Sequence, residues 1–443
     1  MKIQLSEHFT YKKLIRFTIP TIAMMIFTSI YGVVDGIFVS NCVGADAFAA
    51  VNLIMPALMI TGAVGFMFGT GGSALVSKTI GEGDKEKANR YFSMIIYLLI
   101  GIGAVLTVLG IILIKPVSIM LGAKGNILKD CITYGATILV FLVPYLLMNC
   151  FQSFFIVAER PKMGLAMSIV SGISNMILDF VFVYIFPFGV CGAAIATGIS
   201  QTLGGIIPLI YFARKNKTPL KLGKTKLEIK PILKTCTNGS SEMVTNLSMS
   251  LVNMLYNMQL MKYAGSSGVV AYGIIMYVGF IFVGNYLGYS VGMAPIVSYH
   301  YGAKDTDELK NLFKKSIKLL VVTSLVMTVL AELSAEILAG IFVSYDQNLL
   351  EMTTIAIRIY AISYLLTGIN IFGSAFFTAL NDGVVSAVIS FLRAFVMQVI
   401  TILVMPKIFG LNGIWSSIIV AEILSFIVTI IAFIINRKKY KYI

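Results

Sequence analysis

The sequence predicts an all-α polytopic membrane protein: twelve transmembrane helices in two six-helix lobes related by pseudo-two-fold symmetry. Three observations predict it. The chain is 58% hydrophobic and only 12% charged, about half the charged share of a soluble domain, and its mean hydropathy is +0.90. Its apolar residues gather into twelve runs, most of them meeting the ~20 residues that a bilayer-spanning helix needs. The two halves also match each other at one constant offset.

The first six runs lie at 15–40, 46–77, 91–114, 130–157, 163–186 and 191–213, and define an N-lobe over 1–213. The first contains Pro20, which removes a backbone hydrogen bond and can kink the helix. The second ends in GFMFGTGGSALVSKTIGEGD, whose small residues favour close helix packing. Several runs exceed the bilayer thickness, so tilted or protruding helices are expected. A basic cytoplasmic linker, RKNKTPLKLGKTKLEIKP at 214–231, is the one long polar segment between the halves. The C-lobe over 232–443 follows, with runs at 236–261, 269–299, 317–343, 354–379, 384–405 and 412–436. The N-terminal MKIQLSEHFTYKKLIRF is polar and basic. The apolar run after it outlasts a signal-peptide core, so no cleaved leader is expected. The five cysteines follow no metal or redox spacing and read as small packing residues.

The net charge of +14 is a topogenic signal here and not a nucleic-acid footprint. With the N-terminus inside, 27 of the 34 Lys and Arg residues fall on inner segments, eight of them between 214 and 234. That bias predicts twelve spans with both termini cytoplasmic, in the plasma membrane, with anionic lipid favouring the basic face.

The repeat is read by shifting the chain 221 residues. Gly44 then falls on Gly265, Gly71 on Gly292, Ser77 on Ser298, Gly81 on Gly302, Asp84 on Asp305 and Phe92 on Phe313; without a gap, Gly189 falls on Gly410 and Gly192 on Gly413. Six spans per repeat make both repeats enter the membrane from the same side. Transporters built from such parallel repeats place their sites within or between the lobes and work by rocking one against the other. A duplicated single chain is therefore expected to act as a monomer, whereas channels commonly assemble a pore from several copies.

Polar residues inside the spans carry the functional argument. Asp35 lies in span 1 and shares a helical face with Tyr31; Asp179 lies in span 5, with Asn175 one turn before it. Thr197 lies in span 6. A carboxylate in hydrocarbon costs about 3 kcal/mol or more, so it faces a cavity, pairs or takes up a proton. Helix-end or interface hydrogen bonding is the plainer explanation of the two acids. The duplication argues against it: the shift takes Asp35 to Tyr256 and Asp179 to Ile400, so the pair belongs to one lobe. In the second lobe, Glu242 near the start of span 7 either lines the cavity or sits in a solvated first helical turn. Arg393 in span 11 either lines the cavity or snorkels, and Glu422 in span 12 reads as an interhelical hydrogen-bonding group. Tyr, Phe and Met in a cavity would suit flat lipophilic cations.

These residues and repeats resemble the multidrug and toxic compound extrusion (MATE) family over nearly the whole chain. The resemblance rests on the 6+6 arrangement, on GEGDKEKANRYF with its counterpart YGAKDTDELKNLF, on AERPKMG after span 4, and on Asn175 with Asp179; the look is that of its Gram-positive multidrug branch. It implies efflux of organic cations and drugs coupled to H+ or Na+, with an ion site at Asp35, Asn175, Asp179 and Thr197. It also implies a substrate cavity in which Gln152 occupies a position where relatives often carry another amide. The expectation is an antiporter working by alternating access, with no cofactor, no nucleic-acid partner and no enzymatic activity: HExxH, GxSxG and P-loop patterns are absent from the sequence. The alternative is a flippase for a lipid-linked precursor, a class that commonly carries more basic residues inside its cavity. The residues are consistent with either coupling ion, because Na+ needs several oxygens at once and a proton only one acid.

Overall fold

The computed structural model describes residues 3–38, 43, 45–344 and 346–443, with only the backbone described at 32–38, 45, 46 and 48. The described residues form helices and no strand. In order they are α1 (Tyr11–Phe38), α2 (Ala45–Gly81), α3 (Lys85–Met120), α4 (Gly125–Val140), α5 (Leu142–Val157), α6 (Pro161–Asp179) and α7 (Gly189–Ala213). They continue as α8 (Ile229–Gly302), α9 (Thr306–Val343), α10 (Gln347–Ile362), α11 (Tyr364–Ala379), α12 (Gly383–Phe391) and α13 (Met397–Tyr440). Six-residue and five-residue π-helical turns, Phe180–Ile185 and Leu392–Val396, extend α6 and join α12 to α13.

Eight helical stretches are long and apolar enough to cross a membrane, and two bent pairs, α4 with α5 and α10 with α11, raise the number to ten. Two of the eight stretches are themselves broken. α8 breaks at Gly265 (φ 62°, ψ −152°) and α13 at Gly410 (φ 58°, ψ −136°). A side chain is strongly disfavoured in that backbone region. Counting each broken stretch as two crossings gives twelve among the described residues.

Backbone contacts gather the chain into two units. Unit 1 contains Met1–Glu7 and Phe27–Gly239, and unit 2 contains His8–Ile26 and Ser240–Ile443. In unit 1, α2 meets the first turns of α8 at backbone distance: a Cβ on Gly239 would lie 1.9 Å from the Met67 carbonyl oxygen, and one on Gly71 would lie 2.0 Å from that of Thr235. In unit 2, the inner half of α1 lies against α8, where a Cβ on Gly288 would come within 2.4 Å of Ile22 Cα.

Each unit has its own aromatic core, and the cores repeat. In unit 1, Phe92 packs on Phe151 and Phe212 at ring-centroid distances of 6.5 and 5.2 Å, and Phe155 on Phe212 at 5.4 Å. The 221-residue shift turns these into Phe313, Phe372, Phe376 and Phe433. In unit 2, Phe313 packs on Phe372 and Phe433 at 6.3 and 5.0 Å, and Phe376 on Phe433 at 6.1 Å. The duplication seen in glycines is thus also a duplication of core packing.

Candidate functional site

The site in unit 1 is built by α5, α6 and α7. Small residues allow the approach. A Cβ on Gly205 would lie 2.3 Å from the Pro144 carbonyl oxygen, which seats α7 on α5, and one on Gly172 would meet Phe27 at 2.5 Å and Tyr31 at 3.1 Å, which seats α1 on α6. One turn beyond Gly172, Asn175 is buried, and Asp179 follows on the same face with no solvent exposure. The Asn175 amide Nδ2 donates to Thr197 Oγ1 on α7 at 3.4 Å. Among the described residues no donor reaches Asn175 Oδ1. At Asp179 α6 passes directly into the π-helical turn Phe180–Ile185. Such turns change the direction of the side chains that follow and are frequent at functional sites.

Thr197 also lines a cavity of about 90 Å³ inside unit 1, with Gln201, Tyr145, Tyr134 and Thr61 among its walls. Asn149, buried on α5, lies at the contact of α5 with Gly65 of α2. Sequence reasoning missed Asn149 and Gln201: an amide in an apolar run carries no charge to draw attention, and only the fold shows its burial.

The expected residues thus fall into groups. Asn175 meets Thr197, and Asp179 lies buried one turn further along the same face of α6. The backbone of Asp35 lies in the last turns of α1, and its side chain is outside the described residues. Tyr31 rests half-buried against α6 at Gly172. Gln152 lines a separate crevice on α5 with Met167, Ser168 and Gly204. Glu242 and Arg393 belong to unit 2. Glu242 is half-buried in α8, and its carbonyl oxygen accepts from Asn246 Nδ2 at 2.8 Å. Arg393 forms an ion pair with Glu422 at 2.9 Å, which also gives Glu422 its interhelical bond. Among the described residues, no group of three or more His, Cys, Asp and Glu gathers as a metal site. An alkali ion or a proton bound by Asn, Thr and Asp oxygens is a different donor set.

A family model described as MatE matches the chain twice, at residues 20–181 and 243–404. The chain is 24% identical to the multidrug export protein MepA of Staphylococcus saprophyticus over 417 residues, which covers 93% of this chain and 91% of that protein. It is 24% identical to MepA of Staphylococcus haemolyticus over 448 residues, covering 98% and 95% of the two. Among solved structures, an outward-facing multidrug resistance MATE transporter of the MOP superfamily superposes with a TM-score of 0.91 at 23% identity, covering 98% of this chain and 97% of that one. A MOP superfamily transporter from Pyrococcus furiosus, for which a binding pocket of reverse polarity is described, gives 0.89 at 23% identity with the same coverage. MATE structures in straight and bent conformations give 0.90 and 0.87 at 22% and 23% identity, covering 98% of this chain and 97% and 96% of theirs. These superpositions establish the shared fold.

Proposed function

Starting from the chain's membership of the MatE family, we propose that it exports organic cations and drugs by antiport against H+ or Na+. The observation that carries this reading is the fully buried Asp179 carboxyl one turn beyond Asn175, whose amide is held by Thr197. A buried carboxyl is suited to binding a cation or a proton, since either neutralises a charge that is costly to hold in low dielectric. The MepA relatives, described as multidrug export proteins, support the substrate class.

In the mechanism we propose, Asp179 and Asp35 are charged when the chain faces the cytoplasm and attract a cationic drug. Outside, they take up the driving ion. Neutralisation removes that attraction, and the drug leaves. Asn175 orients the site: its amide is held by Thr197, and its carbonyl oxygen remains available to an ion. The chain works as a monomer in the plasma membrane with both termini cytoplasmic, its lobes corresponding to 1–213 and 232–443 about the 214–231 linker. The flippase reading is weaker, because Glu422 already neutralises the guanidinium of Arg393 that a lipid phosphate would need.

Efflux from proteoliposomes holding the purified chain tests this, with a Na+ gradient and a pH gradient imposed separately. We expect efflux under one of them, and its loss in both Asp35→Asn and Asp179→Asn. Wild-type rates in both variants would refute the site. Absence of transport under either gradient would refute the antiport.

A further inference from the structure

Unit 2 has a polar centre of its own, at the repeat positions of Asn149 and Gln201; the repeat partners of Asn175, Asp179 and Thr197 are Val396, Ile400 and Ile418. The 221-residue shift takes Asn149 to Asn370 and Gln201 to Glu422. In unit 2 these two meet: Asn370 Nδ2 donates to Glu422 Oε2 at 2.6 Å and to the Glu422 carbonyl oxygen at 3.0 Å. Arg393 completes the group. Its Nε donates to Glu422 Oε1 and Oε2 at 3.1 and 3.3 Å, and its Nη2 to Oε1 at 2.9 Å. The Glu422 side chain is 2% exposed and that of Arg393 19%. From α8 and α10, the phenols of Tyr256 and Tyr360 lie within electrostatic range of Glu422; neither is charged near neutral pH.

The repeat partner of Arg393 is Gly172. One lobe therefore has no side chain at a position where the other carries a cation. The π-helical turn Leu392–Val396 contains Arg393, as the turn in α6 follows Asp179. The fork geometry suits a guanidinium and a carboxylate, which bind bidentately and remain charged together.

We infer that Arg393 is a tethered cation, permanently filling in unit 2 the role that an exchangeable ion fills in unit 1. Glu422 is thereby kept charged and compensated, and it takes no part in following the gradient. The Arg393–Glu422–Asn370 group is thereby left without a carboxyl that responds to an ion gradient. This inference rests on the antiport reading for its functional meaning; its chemical content is a statement about which carboxyl exchanges protons.

Acid–base titration of the purified full-length chain in detergent tests it without transport. Between about pH 8 and pH 5, Arg393→Gln should take up about one proton more per chain than wild type, because an uncompensated buried carboxyl neutralises itself. Arg393→Lys and the double variant Arg393→Gln/Glu422→Gln should titrate as wild type, an outcome that a merely packing role for Arg393 does not require. Glu422→Gln should also match wild type. The inference is overturned if Arg393→Gln titrates as wild type, or if Glu422→Gln takes up one proton fewer. The Glu422→Gln comparison decides the matter alone should Arg393→Gln not fold. A chain that titrates as expected yet exports nothing under either gradient refutes the antiport and leaves the tethered cation standing.

Discussion

Single residues separate the two coupling ions. Thr197 Oγ1 accepts from Asn175 at 3.4 Å, so its loss both removes an oxygen and releases the amide. Na+ requires several oxygens at once, whereas a proton requires one carboxyl. Under Na+ drive, Thr197→Ala should weaken apparent ion affinity about tenfold, roughly 1.4 kcal/mol; under proton drive the shift should stay below about twofold. Efflux measured against ion concentration in proteoliposomes reads the difference, and a large shift under proton drive would contradict this division of roles. A second residue governs acid stability away from the site. Burial alone would push the Asp382 carboxyl up, but hydrogen bonds from Tyr440, Lys439 and the Val385 N–H, with the Lys439 charge, hold it below its ordinary value. A carboxyl lowered on folding stabilises above its unfolded pKa and loses that contribution as pH falls through the folded value. The melting-temperature gap between wild type and Asp382→Asn should hold steady above about pH 4 and close below it. A gap that widens on acidification would show the assignment to be wrong.

At the level of helices, glycines decide how closely the elements pack. A Cβ on Gly239 would sit 1.9 Å from a backbone oxygen of α2, which no rotamer change can relieve, whereas a Cβ on Gly101 in α3 would meet nothing within 4 Å. Gly239→Ala should therefore cost about 1–3 kcal/mol through forced separation of α2 and α8. Gly101→Ala should be neutral or stabilising by up to about 1 kcal/mol through helix propensity. Melting in detergent checks both, and equal effects would mean that the close approach is not what holds these helices. The same elements show what the sequence made readable. Hydropathy and the repeated glycines gave the spans, and spacing put Asn175 and Asp179 on one face. The breaks at Gly265 and Gly410 fall on glycines that the repeat had already aligned. The two π-helical turns were hidden, because they lie in nearly continuous apolar runs where a shift of helical phase leaves no mark on the hydropathy pattern. The Arg393–Glu422–Asn370 group was visible only in part: its members lie on three helices, 29 and 52 residues apart in pairs, and no local spacing joins them.

For the whole molecule, side of insertion follows from charge and from parity. Within unit 1, the segment before α8 docks on the start of α3: Asn89 Nδ2 donates to the Pro219 carbonyl oxygen at 3.2 Å, and the Lys221 N–H donates to Asn89 Oδ1 at 2.6 Å. Within unit 2, Lys439 near the C-terminus donates to Asp382 before α12 at 2.9 Å. Each contact joins points that must lie on one membrane face, so an even number of crossings separates the members of each pair. The twelve-span reading places four crossings in the first interval and two in the second, as parity demands. It is also the reading that gathers most Lys and Arg residues on one side, a bias that sets cytoplasmic orientation. Cysteine variants at Lys224 and Lys407, in a background lacking the native cysteines, turn this into a measurement. An impermeant thiol reagent should modify Lys407→Cys in intact cells, and Lys224→Cys only after the membrane is opened. Labelling of Lys224→Cys in intact cells would invert the orientation.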